Sequence, residues 1–313
     1  MKRGRLGSIP DGARVRLLGH YGEIVLPWLR RVPERLADAA ARHQMVEVGY
    51  HDWGHASVIA HGRTATGRGM VLKAAFDPRR LAEESAAFAF WRGQAVPGLV
   101  AVEEDLGVLV TELVEPGPGG AQRPRREAVL VAQALDRLHE REPNSVRGAL
   151  PTLVEYYADE VVGRMTERDD VTGRMVDRAL VATASRLALS LPTAAGERER
   201  VLHADLYREN VLFDPEGRAV FIDPLPKIGP PVFDWAFWSV YYDFHHGFEE
   251  RLHIAVDRAE NADTLVPWCL LLAVDGLLYF LSIEDGQRVT RARKIIEVLR
   301  ESGGDGATIT ARR

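Results

Sequence analysis

Cysteine is almost absent from this chain of 313 residues, which has only Cys269. One cysteine excludes an intrachain disulfide and a cysteine metal cluster, and it favours a reducing, cytoplasmic location. Long apolar runs are also lacking, because the longest, 268–281, is interrupted by Asp275 and Gly276. We expect this run to be too short to cross a bilayer and to form a buried helix, so no membrane partner is expected. The basic first residues are not followed by an apolar core, and no signal peptide is expected.

An excess of basic charge is lacking as well. The chain has 40 Lys and Arg against 45 Asp and Glu, a formal net charge of −5. Nucleic-acid-binding proteins usually present a basic surface, so no nucleic-acid partner is expected. Hydrophobic residues make up 46% and charged residues 27%, which is typical of globular proteins. The length suffices for one large domain or two of medium size.

The most informative polar residues lie in the stretch 201–224. A short apolar strand precedes a loop with His203, Asp205 and Asn210, and the strand after the next turn ends at Asp223. These side chains suit phosphoryl transfer, because a carboxylate can accept a hydroxyl proton and amide and carboxylate oxygens are ligands that Mg²⁺ prefers. The alternative is that they cap turns, as Asp and Asn commonly do in loops.

This stretch resembles the aminoglycoside phosphotransferase family. His-Ala-Asp-Leu at 203–206, followed by Asn210, is similar to the family's His-Gly-Asp-Leu-His-x-x-Asn loop, and Ile-Asp-Pro at 222–224 is similar to its metal-binding segment. The resemblance implies an α+β, two-lobed protein-kinase-like fold, with an antiparallel sheet in the small lobe and a mostly helical large lobe. It also implies ATP as the phosphoryl donor, with GTP possible, and Mg²⁺ as a cofactor. The implied roles are catalytic for Asp205 and His203 and metal-binding for Asn210 and Asp223.

Two residues depart from the family pattern near the loop. Ala204 replaces the loop glycine, although alanine resists the positive φ that glycine allows. Pro230 replaces an aspartate in 227–236, a run that otherwise looks like the start of a helix in the family. Asp234 falls in the first turn of that predicted helix. The resemblance implies that Asp234 braces the catalytic loop.

A lysine interrupts an apolar strand earlier in the chain. Lys73 lies in the predicted strand 70–75, and the next predicted helix carries Glu83 and Glu84. A lysine in a strand usually marks a sheet edge, with its ammonium in water. The resemblance instead implies that Lys73 binds the α- and β-phosphates of ATP and is held by a glutamate of the helix. Glu84 shares the apolar face of Phe88, so we predict Glu84 as the partner and keep Glu83 as the alternative.

Two further segments are assigned nucleotide contacts through the resemblance. The hairpin loop around Gly54, which taken alone is a plain hairpin, would cover the phosphates with backbone amides. The strands predicted at 98–102 and 107–114 lead to a hinge. There the carbonyl of Glu112 and the amide of Val114 would contact adenine.

The run Glu-Pro-Gly-Pro-Gly-Gly at 115–120 breaks regular structure and gives the predicted domain boundary. We expect a nucleotide-binding lobe over 1–115 and a catalytic, acceptor-binding lobe over 116–313. Within the first lobe, residues 1–20 are predicted to be irregular. The spacing over 26–42 predicts a helix, which is similar to the leading helix of the streptomycin 6-kinase and hydroxyurea phosphotransferase branch.

The acceptor site is less well defined by the sequence. The helix predicted over 150–168 ends in an acidic run, which fits a solvated face as well as an ammonium-binding surface. Adjacent His245 and His246 point apart on a helix and are not expected to bind a metal. The candidate acceptor-binding residues are Tyr241, Asp243, Asp275 and Glu284.

These patterns together predict an ATP-dependent phosphotransferase. The expected acceptor is a hydroxyl of an antibiotic, aminoglycoside-like or another natural product, and the expected result is resistance or self-protection. The alternatives are a metabolic kinase for an amino alcohol or sugar, and a kinase-fold binding protein without catalysis. The expected partner is a small molecule with a free hydroxyl, and the protein is expected to be a monomer or weak dimer.

Overall fold

The computed structural model describes residues 6–52, 54, 56–193, 198–244 and 246–304, with the side chains of 302–304 left out. The chain divides into two compact units. The first unit comprises Met1–Glu127 and Leu212–Ile222, and the second comprises Ala128–Val211 and Asp223–Arg313.

The first unit extends beyond the boundary predicted after residue 115, and it includes a later segment of the chain. The amide of Ala121 donates to the carbonyl oxygen of Phe213 at 2.6 Å. A Cβ on Gly120 would lie 2.7 Å from the same oxygen, so glycine permits this close approach. The linker therefore packs on Leu212 and Phe213, a long-range contact that no local sequence pattern signals.

The predicted antiparallel sheet is present in the first unit. Its strands are β1 (Met45–His51), β2 (Ser57–Thr64), β3 (Gly69–Ala75), β4 (Leu99–Glu103) and β5 (Val108–Glu112). Their order is β1-β2-β3-β5-β4, and each neighbouring pair is antiparallel. Two helices precede β1: α1 (Asp11–Tyr21) and α2 (Leu26–Arg42).

One face of the sheet forms the core of the first unit. Ala60, Leu72 and Val110 are cross-strand neighbours and are buried. Side chains alternate between the faces of a strand, so this face takes every second residue. The predicted helix α2 covers the face with a stripe at helical spacing: Leu29, Val32 and Leu36.

The opposite face carries Lys73, which lies between Ile59 on β2 and Leu109 on β5. Helix α3 (Pro78–Trp91) follows β3. Its N-cap, Asp77, accepts a hydrogen bond from the amide of Arg79, which satisfies one of the free donors of the first turn.

The prediction that residues 1–20 are irregular is wrong, because 11–21 form helix α1. Ala13 and Leu17 are its only buried residues, and Leu17 joins the core cluster with α2 and the sheet. A stripe this narrow among polar residues gives little periodic signal. Tertiary packing rather than sequence pattern explains this helix.

Helices form most of the second unit. They are α4 (Glu127–Leu138), which begins at the boundary, α5 (Leu153–Tyr156), α6 (Val162–Val171), α7 (Arg178–Ser190), α8 (Val232–Tyr241), α9 (Phe248–Arg258), α10 (Ala262–Ser282) and α11 (Gly286–Gly304). The helix predicted over 150–168 is interrupted by a π-helical turn at Tyr157–Val161.

Helix α10 is the central helix of the second unit and contacts α6, α7, α8, α9 and α11. It is longer than the apolar run seen in the sequence. By length and composition it is the one helix among the described residues that qualifies as a candidate membrane span. However, 67% of its apolar window is buried inside the protein, as in the core helix of a globular domain. This agrees with the predicted buried helix.

Two short strand pairs frame the stretch 201–224. Strand β6 (Arg200–Leu202) pairs antiparallel with β9 (Lys227–Gly229). No local sequence pattern predicted β9. Strand β7 (Val211–Phe213) pairs with β8 (Ala219–Phe221). The loop 203–210 is thus held between β6 and β7.

Two histidines share the sheet face of Lys73. His51 is the cross-strand neighbour of Ile59, and His61 lies two residues further along β2. The centroids of their rings are 6.0 Å apart. Burial, the larger cause in both cases, lowers the pKa of His51 and of His61 below the ordinary value of 6.5.

We expect this histidine pair to make folding stability depend on pH. The folded state resists protonation, so the stability contributed by the neutral pair is present above pH 6.5 and is lost as pH falls through the lowered pKa values. Denaturant unfolding at pH 7.5 and 5.5 should show a smaller loss of stability in a His51→Gln/His61→Gln variant than in the parent. The control is His253→Gln, which replaces an exposed histidine. Its folding stability should depend on pH as that of the parent does. An equal loss of stability between the two pH values in all three proteins would contradict this expectation.

Candidate active site

The loop 203–210 holds Asp205 and Asn210 together. The side-chain amide nitrogen of Asn210 donates to the backbone oxygen and to Oδ2 of Asp205, each at 2.8 Å. The amide of Tyr207 also donates to the Asp205 carbonyl, at 3.0 Å. Because the nitrogen of Asn210 is used by Asp205, its Oδ1 is the side-chain atom that a cation can use.

A buried carboxylate fixes the start of this loop. Asp234, in the first turn of α8, is fully buried (0% exposed). Its Oδ2 accepts from the amide of His203 at 2.8 Å, and its Oδ1 accepts from the amide of Ala204 at 2.9 Å. These are the contacts expected of an acid that braces a loop through its backbone.

His139 is a third partner of Asp234, with its Nε2 2.9 Å from Oδ2. His139 is buried directly after the end of α4, which gives it a structural role. Arg200 adds a bond from its Nε to the His139 carbonyl at 2.6 Å. The sequence signal was the Leu-Asp-Arg-Leu-His run at the end of α4, which does not reveal its distant partner.

Two backbone positions of the site lie in the left-handed region, Ala204 at φ 58° and Asp223 at φ 57°. Aspartate tolerates this conformation because its short polar side chain can bond locally, whereas alanine is strained there. The loop therefore keeps the conformation that the family's glycine favours, despite the replacement at Ala204.

Asn210 and Asp223 fit a magnesium site by donor type. They offer hard oxygens, and Mg²⁺ typically completes its octahedral shell with water and phosphate oxygens. The described residues contain no group of three or more His, Cys, Asp or Glu side chains that could hold a metal by themselves. The pair therefore suits a metal that arrives with a phosphate ligand.

His203 is fully buried, so its ring is not exposed to an acceptor molecule. Its amide bonds Asp234, and its carbonyl accepts from the amide of Leu225 at 2.9 Å. Burial favours a positioning contribution over the direct catalytic contact that the resemblance implied.

In the first unit, Lys73 forms an ion pair with Glu84. The ammonium nitrogen lies 2.8 and 2.7 Å from the two carboxylate oxygens. The side chains are 15% and 7% exposed. Glu83, the alternative partner, instead lies 3.7 Å from Arg79. The choice of Glu84 from the helix face therefore agrees with the geometry.

The other predicted nucleotide contacts lie in the same unit. A Cβ on Gly54 would lie 2.4 Å from the Ser57 carbonyl, so this loop position requires glycine. Glu112 ends β5, and its exposed side chain pairs with Arg68 at 3.1 Å. Val114 is buried. Adenine recognition by these backbone groups stays a prediction.

Two of the predicted acceptor-binding residues are bonded to other groups of the protein. Tyr241 is buried, and its hydroxyl donates to the Leu272 carbonyl at 2.7 Å. Burial raises the pKa of Tyr241 well above its ordinary value. Asp275 accepts from Arg164 at 2.6 Å and from Arg168 at 2.9 Å. Tyr241 is thus a core residue, and Asp275 is a carboxylate already neutralised by two guanidinium groups.

The other two acceptor candidates are accessible. Asp243 is 22% exposed and lies 3.6 Å from Arg208. Glu284 is exposed in the turn after α10. The rejected histidine pair includes His245, which lies outside the described residues. In the acidic run, Asp170 pairs with exposed Arg174, as a solvated face would.

We expect the Ala204→Gly substitution to stabilise the protein. The left-handed conformation costs alanine about 1 kcal/mol, and glycine removes that strain, although its greater freedom in the unfolded chain offsets part of the gain. Thermal or denaturant unfolding should show a gain of up to about 1 kcal/mol. Ala184→Gly, in helix α7, is the control and should lose stability. A loss for Ala204→Gly equal to that of the control would contradict the strain argument.

Known proteins resemble this chain in both sequence and fold. It is 26% identical over 294 residues to the streptomycin 6-kinase of Streptomyces griseus, covering 89% of this chain and 92% of that protein. It is 27% identical over 209 residues to the hydroxyurea phosphotransferase of Kitasatospora aureofaciens, covering 65% of this chain and 59% of that protein.

A solved structure shares the fold. It is a thermostable mutant of aminoglycoside phosphotransferase APH(4)-Ia in ternary complex with ADP and hygromycin B, with a TM-score of 0.57 and 18% identity. The match covers 87% of this chain and 98% of that one. It confirms the kinase-like α+β fold.

A family model described as aminoglycoside/hydroxyurea antibiotic resistance kinase matches residues 42–243. The match includes Lys73, Glu84, the loop 203–210, Asp223 and Asp234. Because it spans well over half of the chain, the protein belongs to the aminoglycoside/hydroxyurea antibiotic resistance kinase family and is a phosphotransferase.

Proposed function

We propose that this protein transfers the γ-phosphoryl group of ATP to a hydroxyl of an antibiotic, which inactivates the compound for resistance or self-protection. The observation that carries the proposal is the Asp205–Asn210 pair, held by direct hydrogen bonds in a loop whose backbone is bonded to Asp234. Membership of an antibiotic resistance kinase family supports the choice of substrate.

Asp205 is the proposed catalytic carboxylate. It orients the acceptor hydroxyl and takes its proton while the oxygen forms a bond to the γ-phosphorus and the bond to ADP breaks. The hydrogen bonds from Asn210 hold Asp205 in place before the acceptor arrives. Pre-positioning of this kind is a main source of rate in phosphoryl transfer, in which the protein performs little covalent chemistry.

Asn210 and Asp223 would hold Mg²⁺, which supplies positive charge to the phosphate oxygens when it is bound. Lys73 adds a second positive charge, directed at the α- and β-phosphates. Glu84 fixes the position of the ammonium group through both carboxylate oxygens. Backbone groups of Glu112 and Val114 would contact the purine, so GTP is an alternative donor.

The charge around Asp275 bears on the acceptor. An aminoglycoside-like acceptor carries ammonium groups, which bind best to carboxylates without another cationic partner. Asp275 already has two arginine partners. We therefore assign Asp275 a structural role between α6 and α10. Asp243 lies 3.6 Å from Arg208, a looser pair than either of those made by Asp275, and Glu284 is exposed, so we keep both as the candidate acceptor contacts.

A metabolic kinase for an amino alcohol or a sugar is the second candidate, because the same groups would phosphorylate any positioned hydroxyl. A binding protein without catalysis fits less well. Binding alone does not require both the Lys73–Glu84 ion pair and the Asp205–Asn210 pair, yet both are formed.

The decisive experiment is turnover of Mg²⁺-ATP against a panel of antibiotics, sugars and amino alcohols, with products identified by mass. We expect Asp205→Asn to lower kcat about 10²–10⁴-fold, the usual contribution of a general base, while ATP affinity is retained. Glu209→Gln removes an exposed carboxylate of the same loop and should stay near the parent rate. Parental turnover in Asp205→Asn would sink the catalytic assignment, and products from metabolites alone would favour the second candidate.

We expect Asp275→Asn to affect stability rather than acceptor choice. The substitution leaves two arginines without their carboxylate, which should lower the free energy of unfolding by about 2 kcal/mol. Asp170→Asn is the control, since exposed ion pairs contribute about 0.5 kcal/mol. The ratio of KM values for cationic and neutral acceptors should be unchanged in both variants. A selective rise in KM for cationic acceptors in Asp275→Asn, at parental stability, would contradict this assignment.

A further inference from the structure

Arg16 of helix α1 makes three hydrogen bonds to the loop between β1 and β2. Arg16 donates from its Nε to the carbonyl oxygen of Gly54 at 3.1 Å. Its terminal nitrogen donates to the carbonyl oxygen of Asp52 at 2.6 Å and to the carboxylate at 2.7 Å. One guanidinium thus fixes two backbone positions and one side chain of the loop, a use of its fork that lysine does not allow.

The ion pair between Arg16 and Asp52 lies directly against a glycine of the same helix. A Cβ at Gly12 would lie 2.5 Å from one carboxylate oxygen of Asp52, 2.8 Å from the other and 3.0 Å from a nitrogen of Arg16. Distances under 3.0 Å force atoms apart, so a side chain at position 12 would displace the exposed Asp52 carboxylate from its contact with Arg16. Glycine disfavours the helical conformation, so helix propensity does not explain its presence at position 12.

Helix α1 is itself fixed to the sheet. Leu17 is fully buried in the core cluster that also contains Val58 and Ala60 of β2. Arg16 therefore connects the loop to a packed element rather than to a mobile arm. Residues 11–21 precede the segment matched by the family model, which begins at residue 42.

The charge of the loop explains why such a contact is needed if the loop meets phosphates. Asp52 brings a carboxylate, and two carbonyl oxygens add partial negative charge. Each of these groups would repel phosphate oxygens. The guanidinium of Arg16 compensates all three, and it also orders the backbone before the nucleotide binds, which lowers the entropic cost of binding.

We propose that α1 acts as a clamp on the β1–β2 loop and that Arg16 is a positioning residue for ATP. This inference rests on the proposed function of the loop in covering the ATP phosphates. Arg16 acts through Asp52 and Gly54 and does not contact the acceptor. Its loss should therefore weaken ATP binding and leave acceptor binding unchanged.

The first test compares Arg16→Gln with Arg14→Gln, an exposed arginine of the same helix, as the control. ATP affinity is measured by calorimetric titration, and KM for ATP and for the acceptor by turnover. We expect Arg16→Gln to weaken ATP binding about tenfold, with kcat and acceptor KM near parental values. Arg16→Lys should recover part of the loss, because it restores the charge but not the forked contacts. Arg14→Gln should match the parent in each measurement.

The second test uses Gly12→Ala, for which helix propensity and the clamp predict opposite effects. Alanine favours a helix more than glycine does, so the melting temperature should be unchanged or higher. If α1 clamps the loop, displacement of the Asp52 carboxylate from Arg16 should nevertheless weaken ATP binding. A helix that matters only for folding would instead lose stability and change both KM values together.

The outcomes separate this inference from the proposed function. ATP binding at parental affinity in both Arg16→Gln and Gly12→Ala would overturn the clamp and leave the phosphotransferase assignment intact. Failure of the parent protein to bind ATP would overturn both. Weaker ATP binding in both variants, with parental acceptor KM and melting temperature, would establish Arg16 as a positioning residue.

Discussion

The carboxylate of Asp234 is the group on which the loop 203–210 depends. Burying a charge without partners is costly, so this side chain is stable only with the three donors it has, the amides of His203 and Ala204 and the ring of His139. Those donors come from the loop and from the end of α4. The same hydrogen bonds that satisfy the buried charge therefore set where Asp205 stands. Loss of one donor would therefore weaken the support of both the carboxylate and the loop.

In the first unit, one face of the sheet is apolar and the other carries a charge that needs a partner. Strand alternation sends Leu72 to the core with α2 and sends Lys73 to the face that Glu84 of α3 reaches. A lysine among apolar strand residues is costly unless its charge is compensated, and the ion pair provides that compensation. The core and the charged face are thus consequences of one alternating pattern. A shift of one residue in the register of β3 would destroy both.

Local patterns in the sequence predicted most of the elements and several contacts between them. The five strands, α2, α3 and the choice of Glu84 follow from periodicity and helix geometry, which are properties of neighbouring residues. Helix α1, strand β9 and the bond between His139 and Asp234 were not predicted, because each exists through packing with residues far along the chain. The arginine partners of Asp275 were missed for the same reason. Ala204 shows the reverse case, in which tertiary hydrogen bonds impose a backbone conformation that the residue itself disfavours.

Arginine partners neutralise acidic residues that the sequence alone presents as free carboxylates. Asp275 looks like a binding group for a cationic acceptor until Arg164 and Arg168 are seen to hold it. Asp52 looks unsuited to a loop that is proposed to cover phosphates until Arg16 is seen to neutralise it. In both cases the compensating charge comes from a helix distant in sequence from the acid. The potential at each site therefore depends on charge that remains after such pairing, and not on the number of carboxylates.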